Sequence, residues 1–202
     1  MMSFVPWKTR PRRDDGSLAR RVAGGDRAAL ADVYAHEAGP VYRYAFALCG
    51  NPAWAADAVQ DAFIALASRP QSFDATRGTL GAWLAGTARH ALLAQWRAAQ
   101  GVTSLSGEPT DADDAGSDAS GATALGIDEL LVRRQDHDAL WAAIRALPWP
   151  FREALVLVDL QERPYEQAAA IAGIELNTLR SRLHRARTRL AALLNGAAGE
   201  AA

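Results

Sequence analysis

Residues 177–190 read NTLRSRLHRARTRL and contain five arginines, one histidine and no acidic residue. A short helical pattern over 165–172 and a turn beginning at Gly173 precede this stretch. A helix, a tight turn with glycine and then a basic helix are typical of a helix-turn-helix, whose second helix enters the major groove of DNA. The segment therefore predicts an all-α domain that binds duplex DNA.

The basic helix has two distinct sides. Four apolar residues share one face and are expected to pack on other helices: Leu179, Leu183, Ala186 and Leu190. Asn177 is predicted to cap the helix, because its side chain can accept from the free amides of the first turn. The remaining positions give the candidate DNA contacts: Arg180, Ser181, Arg182, His184, Arg185 and Arg187. An arginine-rich helix could also be a solvated surface or bind another polyanion, but the preceding helix and turn favour DNA.

Charge is segregated along this chain of 202 residues, whose net charge is −1. Residues 1–13 and 177–190 are basic, whereas 101–128 contain six acids and no base. Such segregation suggests contact with a polyanion at defined places. The single cysteine, Cys49, excludes an internal disulfide and has no partners spaced for a zinc site. We predict no metal, no cofactor and no enzymatic activity.

Half of the residues are hydrophobic, which is enough for a core. No apolar run reaches the roughly 18 residues of a membrane span, and the N-terminus lacks the apolar core of a signal peptide. We therefore expect a cytoplasmic protein without direct membrane insertion.

The pattern predicts two small helical domains on an acidic, flexible linker. The predicted segments are a flexible basic tail (1–16), a first helical domain (17–100), the linker (101–127), a second helical domain with the helix-turn-helix (128–196) and a short tail (197–202). Within the first domain, Asp26 and Asn51 are predicted N-caps, and Gly39 followed by Pro40 predicts a break between two helices.

An acid–amide–acid patch, Asp57, Gln60 and Asp61, shares one helix face. The opposite face carries Val59 and Phe63 and is predicted to be buried. By itself such a patch is most often solvated surface; alternatively, it could dock arginines of a partner protein.

Aromatic and basic residues alternate over 73–97. Aromatic rings beside cations can hold unstacked bases of single-stranded DNA. Spacing alone leaves open whether Trp83 stacks on bases or belongs to the core, and it favours the core for Trp96.

Several stretches of the chain resemble a known family. The chain is similar to bacterial RNA polymerase sigma factors of the sigma-70 family, in the extracytoplasmic-function group. Four stretches carry the likeness: DAVQDAF (57–63), FDATRGTLGAWLAGTARH (73–90), LPWPFREALVLVDL (147–160) and YEQAAAIAGIELNTLRSRLHRARTRL (165–190). The last is the most specific, because TLRSRLHRAR stands at the expected place after the turn.

The resemblance implies roles for these residues. Asp57, Gln60 and Asp61 would dock on the clamp helices of the polymerase β′ subunit. The loop 73–81 and the helix after it would capture a flipped base of the −10 promoter element and help melting. The residues implied there are Phe73, Arg77, Thr79, Trp83 and His90. The second domain would read the −35 element, and Arg182 and Arg187 would mainly touch phosphates. The residues implied to read the −35 bases are Arg180, Ser181, His184 and Arg185.

The resemblance also implies partners. They are core RNA polymerase, including the flap of its β subunit, promoter DNA, and an anti-sigma factor as the family's usual regulator. The chain departs from the family pattern at His90, where asparagine is frequent, and at Glu175-Leu176-Asn177, where Pro-Val-Gly is usual.

The leading hypothesis is therefore a promoter-specificity subunit that directs transcription initiation at −35/−10 promoters. Two other classes stay open at this point. One is a stand-alone helix-turn-helix regulator with a sensing domain. The other is a sigma mimic that sequesters an anti-sigma factor without touching DNA.

Overall fold

The computed structural model describes residues 14–99 and 128–200, with side chains described over 14–99 and 137–195. All regular elements in these residues are helical, as predicted. They are α1 (Asp15–Ala23), α2 (Arg27–Cys49), α3 (Pro52–Ser68), α4 (Leu80–Ala99), α5 (Asp128–Ala146), α6 (Trp149–Leu155), α7 (Tyr165–Ala172) and α8 (Leu176–Glu200). A 3-10 turn at Pro70–Ser72 follows α3, and a π-helical turn at Val156–Leu160 continues α6. The predicted tail at 1–13, the linker 101–127 and the last two residues lie outside the described residues.

Side-chain caps start helices α2 and α3 where the sequence predicts them. The Asp26 carboxylate accepts from the amides of Ala28 and Ala29, and the Asn51 side chain accepts from those of Ala53 and Trp54. These bonds satisfy amides that have no partner within the helix.

The predicted break at Gly39 and Pro40 is wrong. Helix α2 runs through both positions without interruption. Proline costs the helix one backbone hydrogen bond. However, Pro40 is buried, and so are Val41 and Tyr44 on the following turn. Tertiary packing on the other helices therefore outweighs the local preference for a break.

Helix α1 begins at Asp15, inside the stretch predicted as a tail up to residue 16. The Asp14 side chain caps it by accepting from the Ser17 amide at 3.0 Å. Asp15 Oδ2 then accepts from the Leu80 amide at 2.8 Å. This bond ties α1 to the first turn of α4, so the extra turn is anchored by a partner distant in sequence.

Helix α8 begins earlier and ends later than the sequence predicts. It starts at Leu176, and the Glu175 carbonyl accepts from the Leu179 amide at 3.0 Å. Asn177 therefore lies inside the first turn, and its predicted role as the cap is wrong. The helix continues to Glu200, past the predicted domain end at residue 196.

Two sets of helices make up the described chain, and they are packed against each other. Helices α2, α3 and α4 pack together with α1 beside them, while α5, α6 and α7 pack around α8. The sets meet where α7 lies on α4 and where the π-helical turn lies on α2. Their apolar residues join one buried cluster that includes Leu92 and Ala168. In the part of the chain described here, no helix is both long and apolar enough to cross a bilayer.

Candidate nucleic-acid interface

The helix-turn-helix is formed by α7, a turn and α8. Gly173 ends α7 in the left-handed region, with φ 68°, where glycine has no Cβ penalty. After the turn, Leu179, Leu183 and Ala186 point into the core and are almost fully buried. Leu190 is half-buried and packs on the cluster around Phe151. The predicted apolar stripe is therefore confirmed, and it fixes which side of α8 faces outward.

The outward side of α8 presents four of the predicted DNA contacts: Arg180, Ser181, His184 and Arg185, all exposed. The Arg180 guanidinium donates to Asn177 Oδ1 at 3.4 Å, a long contact that holds it beside the first turn. Guanidinium groups on the exposed face of such a helix can donate to guanine O6 and N7 or to phosphates. The structure therefore brings these four side chains together on one accessible surface.

Arg182 and Arg187 are placed differently. Arg182 is half-buried, and its Nε has no hydrogen-bond partner. Arg187 donates from Nε to Asp159 Oδ2 at 2.9 Å and from its terminal nitrogen to Oδ1 at 2.6 Å. This two-point pair with Asp159 raises the pKa of Arg187. Their assignment as phosphate contacts stays a prediction, and Arg187 also braces α8 against the π-helical turn.

The loop before α4 forms a cavity of about 370 Å³. Its walls include all five residues predicted for the −10 element: Phe73, Arg77, Thr79, Trp83 and His90. Phe73 is buried and meets Trp83 edge to face, with the ring centroids 6.4 Å apart. Trp83 is half-buried and Arg77 is exposed. The lining of the cavity therefore combines two aromatic rings in contact with polar and cationic groups.

Local hydrogen bonds give this loop its shape. Asp74 Oδ1 accepts from the Thr76 amide at 2.9 Å and from its hydroxyl at 2.7 Å. These bonds lower the pKa of Asp74 and turn the chain toward α4. Thr79 caps α4, since its Oγ1 accepts from the Ala82 amide at 3.2 Å.

The cavity also has a wall that the sequence did not predict. Ala170 and Ile171 of α7 line it, and Gln167 Nε2 donates to Thr79 Oγ1 at 2.9 Å. Amphipathic spacing marks Ile171 as a core residue of α7 but gives no sign of which surface it meets. Only the packing of α7 on α4 reveals this contact.

The acid–amide–acid patch lies on the surface of α3. Asp57, Gln60 and Asp61 are all exposed, while Val59 and Phe63 on the other side are buried. The structure thus brings the three polar residues onto one accessible face, as the spacing predicts.

An apolar groove between α2 and α3 borders this patch. Its volume is about 760 Å³, and Gln60 forms part of its wall. Tyr34 and Ile64 line the groove with 54% and 53% of their surface exposed. Exposed apolar surface with a charged rim is typical of protein–protein contact sites. Neither Tyr34 nor Ile64 was among the predicted site residues, although Ile64 directly follows the predicted buried residue Phe63 in the sequence.

Two models of known protein families match this chain, one in each of the two sets of helices. Residues 33–102 match the family model described as Sigma-70 region 2, and residues 137–190 match Sigma-70, region 4. The ECF RNA polymerase sigma factor EcfG of Rhodopseudomonas palustris (strain TIE-1) is 32% identical over 151 residues, covering 75% of this chain and 77% of that protein. The chain belongs to the extracytoplasmic-function group of RNA polymerase sigma factors. The predicted family is thereby confirmed.

A second relative of this sigma factor is the ECF RNA polymerase sigma factor SigE of Mycolicibacterium smegmatis (strain ATCC 700084 / mc(2)155). It is 32% identical over 171 residues, covering 83% of this chain. The match spans 63% of SigE, so the chain corresponds to somewhat less than two thirds of that relative.

Solved structures resemble this sigma factor along most of its length. The sigma factor RpoE of Bartonella quintana, in complex with the anti-sigma factor NepR, matches with a TM-score of 0.60 and 27% identity, covering 81% of this chain and 95% of that one. CnrH, in complex with the cytosolic domain of CnrY, matches with a TM-score of 0.64 and 21% identity, covering 90% and 97%. The second likeness concerns the fold alone.

Proposed function

We propose that this sigma factor binds core RNA polymerase, directs it to promoters with −35 and −10 elements and helps to open the DNA. The single observation that carries the proposal is the geometry of α8. Its apolar side is buried through Leu179 and Leu183, and its arginines face outward after a helix-turn-helix turn. The chain acts as a specificity subunit in the cytoplasm and performs no catalysis of its own.

The −35 element is read by the exposed face of α8. Arg180, Ser181, His184 and Arg185 contact base edges, and Arg182 and Arg187 reach phosphates at the flanks. A duplex major groove accepts a helix in this orientation, and each bidentate arginine–guanine contact discriminates by about 1–3 kcal/mol.

The direct test is transcription in vitro with purified core polymerase on a promoter library. Wild-type chain is expected to select a family of promoters that share two spaced elements. Arg180→Ala combined with Arg185→Ala should relax selection at the −35 element only. Arg27→Ala, which removes an exposed arginine from α2, is the matched control. Unchanged −35 selection by the double variant would refute the assignment.

The cavity beside α4 takes the unstacked base of the −10 element. Extruding a base costs a few kcal/mol of stacking, and a pocket with aromatic and polar walls can offset that cost. Phe73 and Trp83 supply aromatic rings, whereas Arg77, Thr79 and His90 supply donors. Trp83→Ala should reduce open-complex formation more than it reduces binding to closed duplex promoter, as measured by permanganate reactivity of unpaired thymines.

Core polymerase docks on α3 through Asp57, Gln60 and Asp61, which meet the clamp helices of β′. The neighbouring groove at Tyr34 and Ile64 adds apolar contact. The region 4 helices contact the flap of the β subunit.

Core docking can be tested by co-purification with core polymerase. Asp57→Arg with Asp61→Arg should abolish binding. Asp32→Arg is the control, because Asp32 is exposed on α2 and points away from the groove, two positions from Tyr34. Normal binding by the double variant would show that the patch is ordinary surface.

An anti-sigma protein is a second proposed partner. The support is the Bartonella sigma factor, which is 27% identical and was solved with the anti-sigma factor NepR. A stand-alone regulator would instead bind promoter DNA without polymerase, and a sigma mimic would bind an anti-sigma protein but not support transcription. The transcription assay therefore separates the sigma function from both alternatives, and binding of promoter DNA without polymerase separates the two alternatives from each other.

A further inference from the structure

One buried carboxylate joins the two family regions. Glu153 lies in region 4, on α6, and its side chain is 1% exposed. Its Oε1 accepts from the Tyr44 hydroxyl at 2.7 Å and from Arg89 Nε at 2.7 Å. Both donors are buried residues of region 2, on α2 and α4. The charge of Glu153 is therefore compensated by the other domain.

Further polar bonds surround this pair along the same boundary. Arg152 donates to the Leu48 carbonyl, and Gln161 Nε2 donates to the Pro40 carbonyl at 3.4 Å. The boundary is therefore mixed: these polar bonds, which are typical of interfaces between domains that separate, lie beside the apolar cluster that both sets of helices share. A buried ion pair adds little net stability, because desolvating its charges opposes their attraction. The contact is therefore specific, yet its charged groups regain hydration when the domains part.

The same packing places α7 over the proposed −10 cavity. Ile171 is 4% exposed and lines the cavity with Ala170. Gln167 Nε2 donates to Thr79 Oγ1, so α7 also contacts one of the residues proposed to bind the base. A base entering the cavity would have to share it with region 4.

The two promoter elements cannot both be bound in this arrangement. By their names they lie about 25 base pairs apart, which is about 85 Å along straight duplex DNA at 3.4 Å per pair. Here α7, which immediately precedes the −35 helix, contacts the wall of the −10 cavity. The domains must separate before both elements can be engaged.

We propose that the free chain rests in a closed state, in which Glu153 docks region 4 onto Tyr44 and Arg89 and α7 masks the −10 cavity. Promoter binding requires this contact to open. The masking role rests on the proposed function, whereas the closed state itself does not.

The experiment measures the separation of two spin labels in the full chain by pulsed electron paramagnetic resonance. Labels are attached at Ser68→Cys on α3 and Ala192→Cys on α8, both exposed, in a Cys49→Ser background. The free chain should give one short, narrow distance. Glu153→Gln and Arg89→Gln should each lengthen and broaden it. Glu166→Gln, which removes an exposed acid from α7, should leave it unchanged.

The same samples are titrated with a pool of mixed-sequence single-stranded oligonucleotides. If nine tenths of the molecules are closed, opening should lower the Kd for the oligonucleotides by up to about tenfold. In the chain without an interface substitution, saturating oligonucleotide should itself lengthen the label distance, so the test does not depend on variants that fold poorly. Circular dichroism checks the helical content of each variant.

A long, broad distance in the free chain, or one that Glu153→Gln and oligonucleotide both leave unchanged, would overturn the closed state. The transcription assay separates this failure from failure of the proposed function. If the chain closes but does not support transcription, the proposed sigma function is contradicted and the closed state stands. Conversely, if the chain supports transcription but never closes, only the closed state is contradicted.

Discussion

Arg89 and Glu153 form a buried ion pair between two domains, with Nε and Oε1 2.7 Å apart. Burial raises the pKa of Glu153, and Arg89 opposes that shift. The Glu153 carboxylate in turn helps to raise the pKa of Tyr44, although burial is the larger cause. The three side chains therefore depend on one another, and each lies far in sequence from at least one partner.

Glu153→Gln should lower the free energy of unfolding by clearly less than the roughly 3–5 kcal/mol typical of breaking a fully buried pair. The reason is that parting of the domains lets water reach Arg89. Urea denaturation of the full chain measures the effect, with Glu166→Gln as the exposed control. A loss in the full 3–5 kcal/mol range would mean that the interface does not open.

Arg187→Ala should affect stability more than promoter selectivity, because Arg187 is bound at two points by Asp159. The pair is partly exposed, so we expect a loss of about 0.2–1 kcal/mol. Thermal unfolding and −35 binding are measured on the same sample. Arg185→Ala is the counterpart, expected to weaken −35 binding with little change in stability. An Arg187→Ala variant that loses −35 selectivity at unchanged stability would contradict this assignment.

Leu183→Ala should destabilise the chain by about 2–5 kcal/mol, because Leu183 is 2% exposed and belongs to the apolar stripe that packs α8 on the other helices. Ser181→Ala, an exposed change on the same helix, should stay within about 0.5 kcal/mol. Chemical denaturation compares the two. Equal losses of stability in the two variants would show that the apolar stripe does not anchor α8.

Asp26 should make folding sensitive to acid. The bonds from Ala29 and Arg21 hold its pKa below the usual 3.8. The carboxylate therefore contributes stability that is present above pH 3.8 and lost as the pH falls through its lower pKa in the folded chain. Denaturation midpoints between pH 7 and pH 2 should fall less steeply for Asp26→Asn than for wild type. Identical slopes would rule out this contribution.

Local signals in the sequence predicted much of the fold. Asn51 and Asp26 start helices because a short polar side chain next to free amides acts within a few residues. The apolar stripe that includes Leu179 and Leu183 follows from helical periodicity alone. The exposed patch around Asp57 follows from the same rule applied to α3.

The errors arose where a distant partner outweighed a local preference. Pro40 lies within a continuous helix because that helix is buried along the turn that follows. Asp15 extends α1 because the amide of Leu80 lies next to it. The turn before α8 needed no cap at Asn177, since the chain already enters the helix at Leu176.

The order of charges, caps and apolar spacings thus determined, by itself, an all-helical chain with a basic helix-turn-helix and an acid–amide–acid patch. These features depend on neighbours within one or two helical turns. The tertiary structure alone decided that Glu153 meets Arg89, that α7 walls the cavity at Thr79 and that Asp159 engages Arg187. Contacts of this kind join residues whose separation in sequence carries no periodic signal, so only the packing of the helices can specify them.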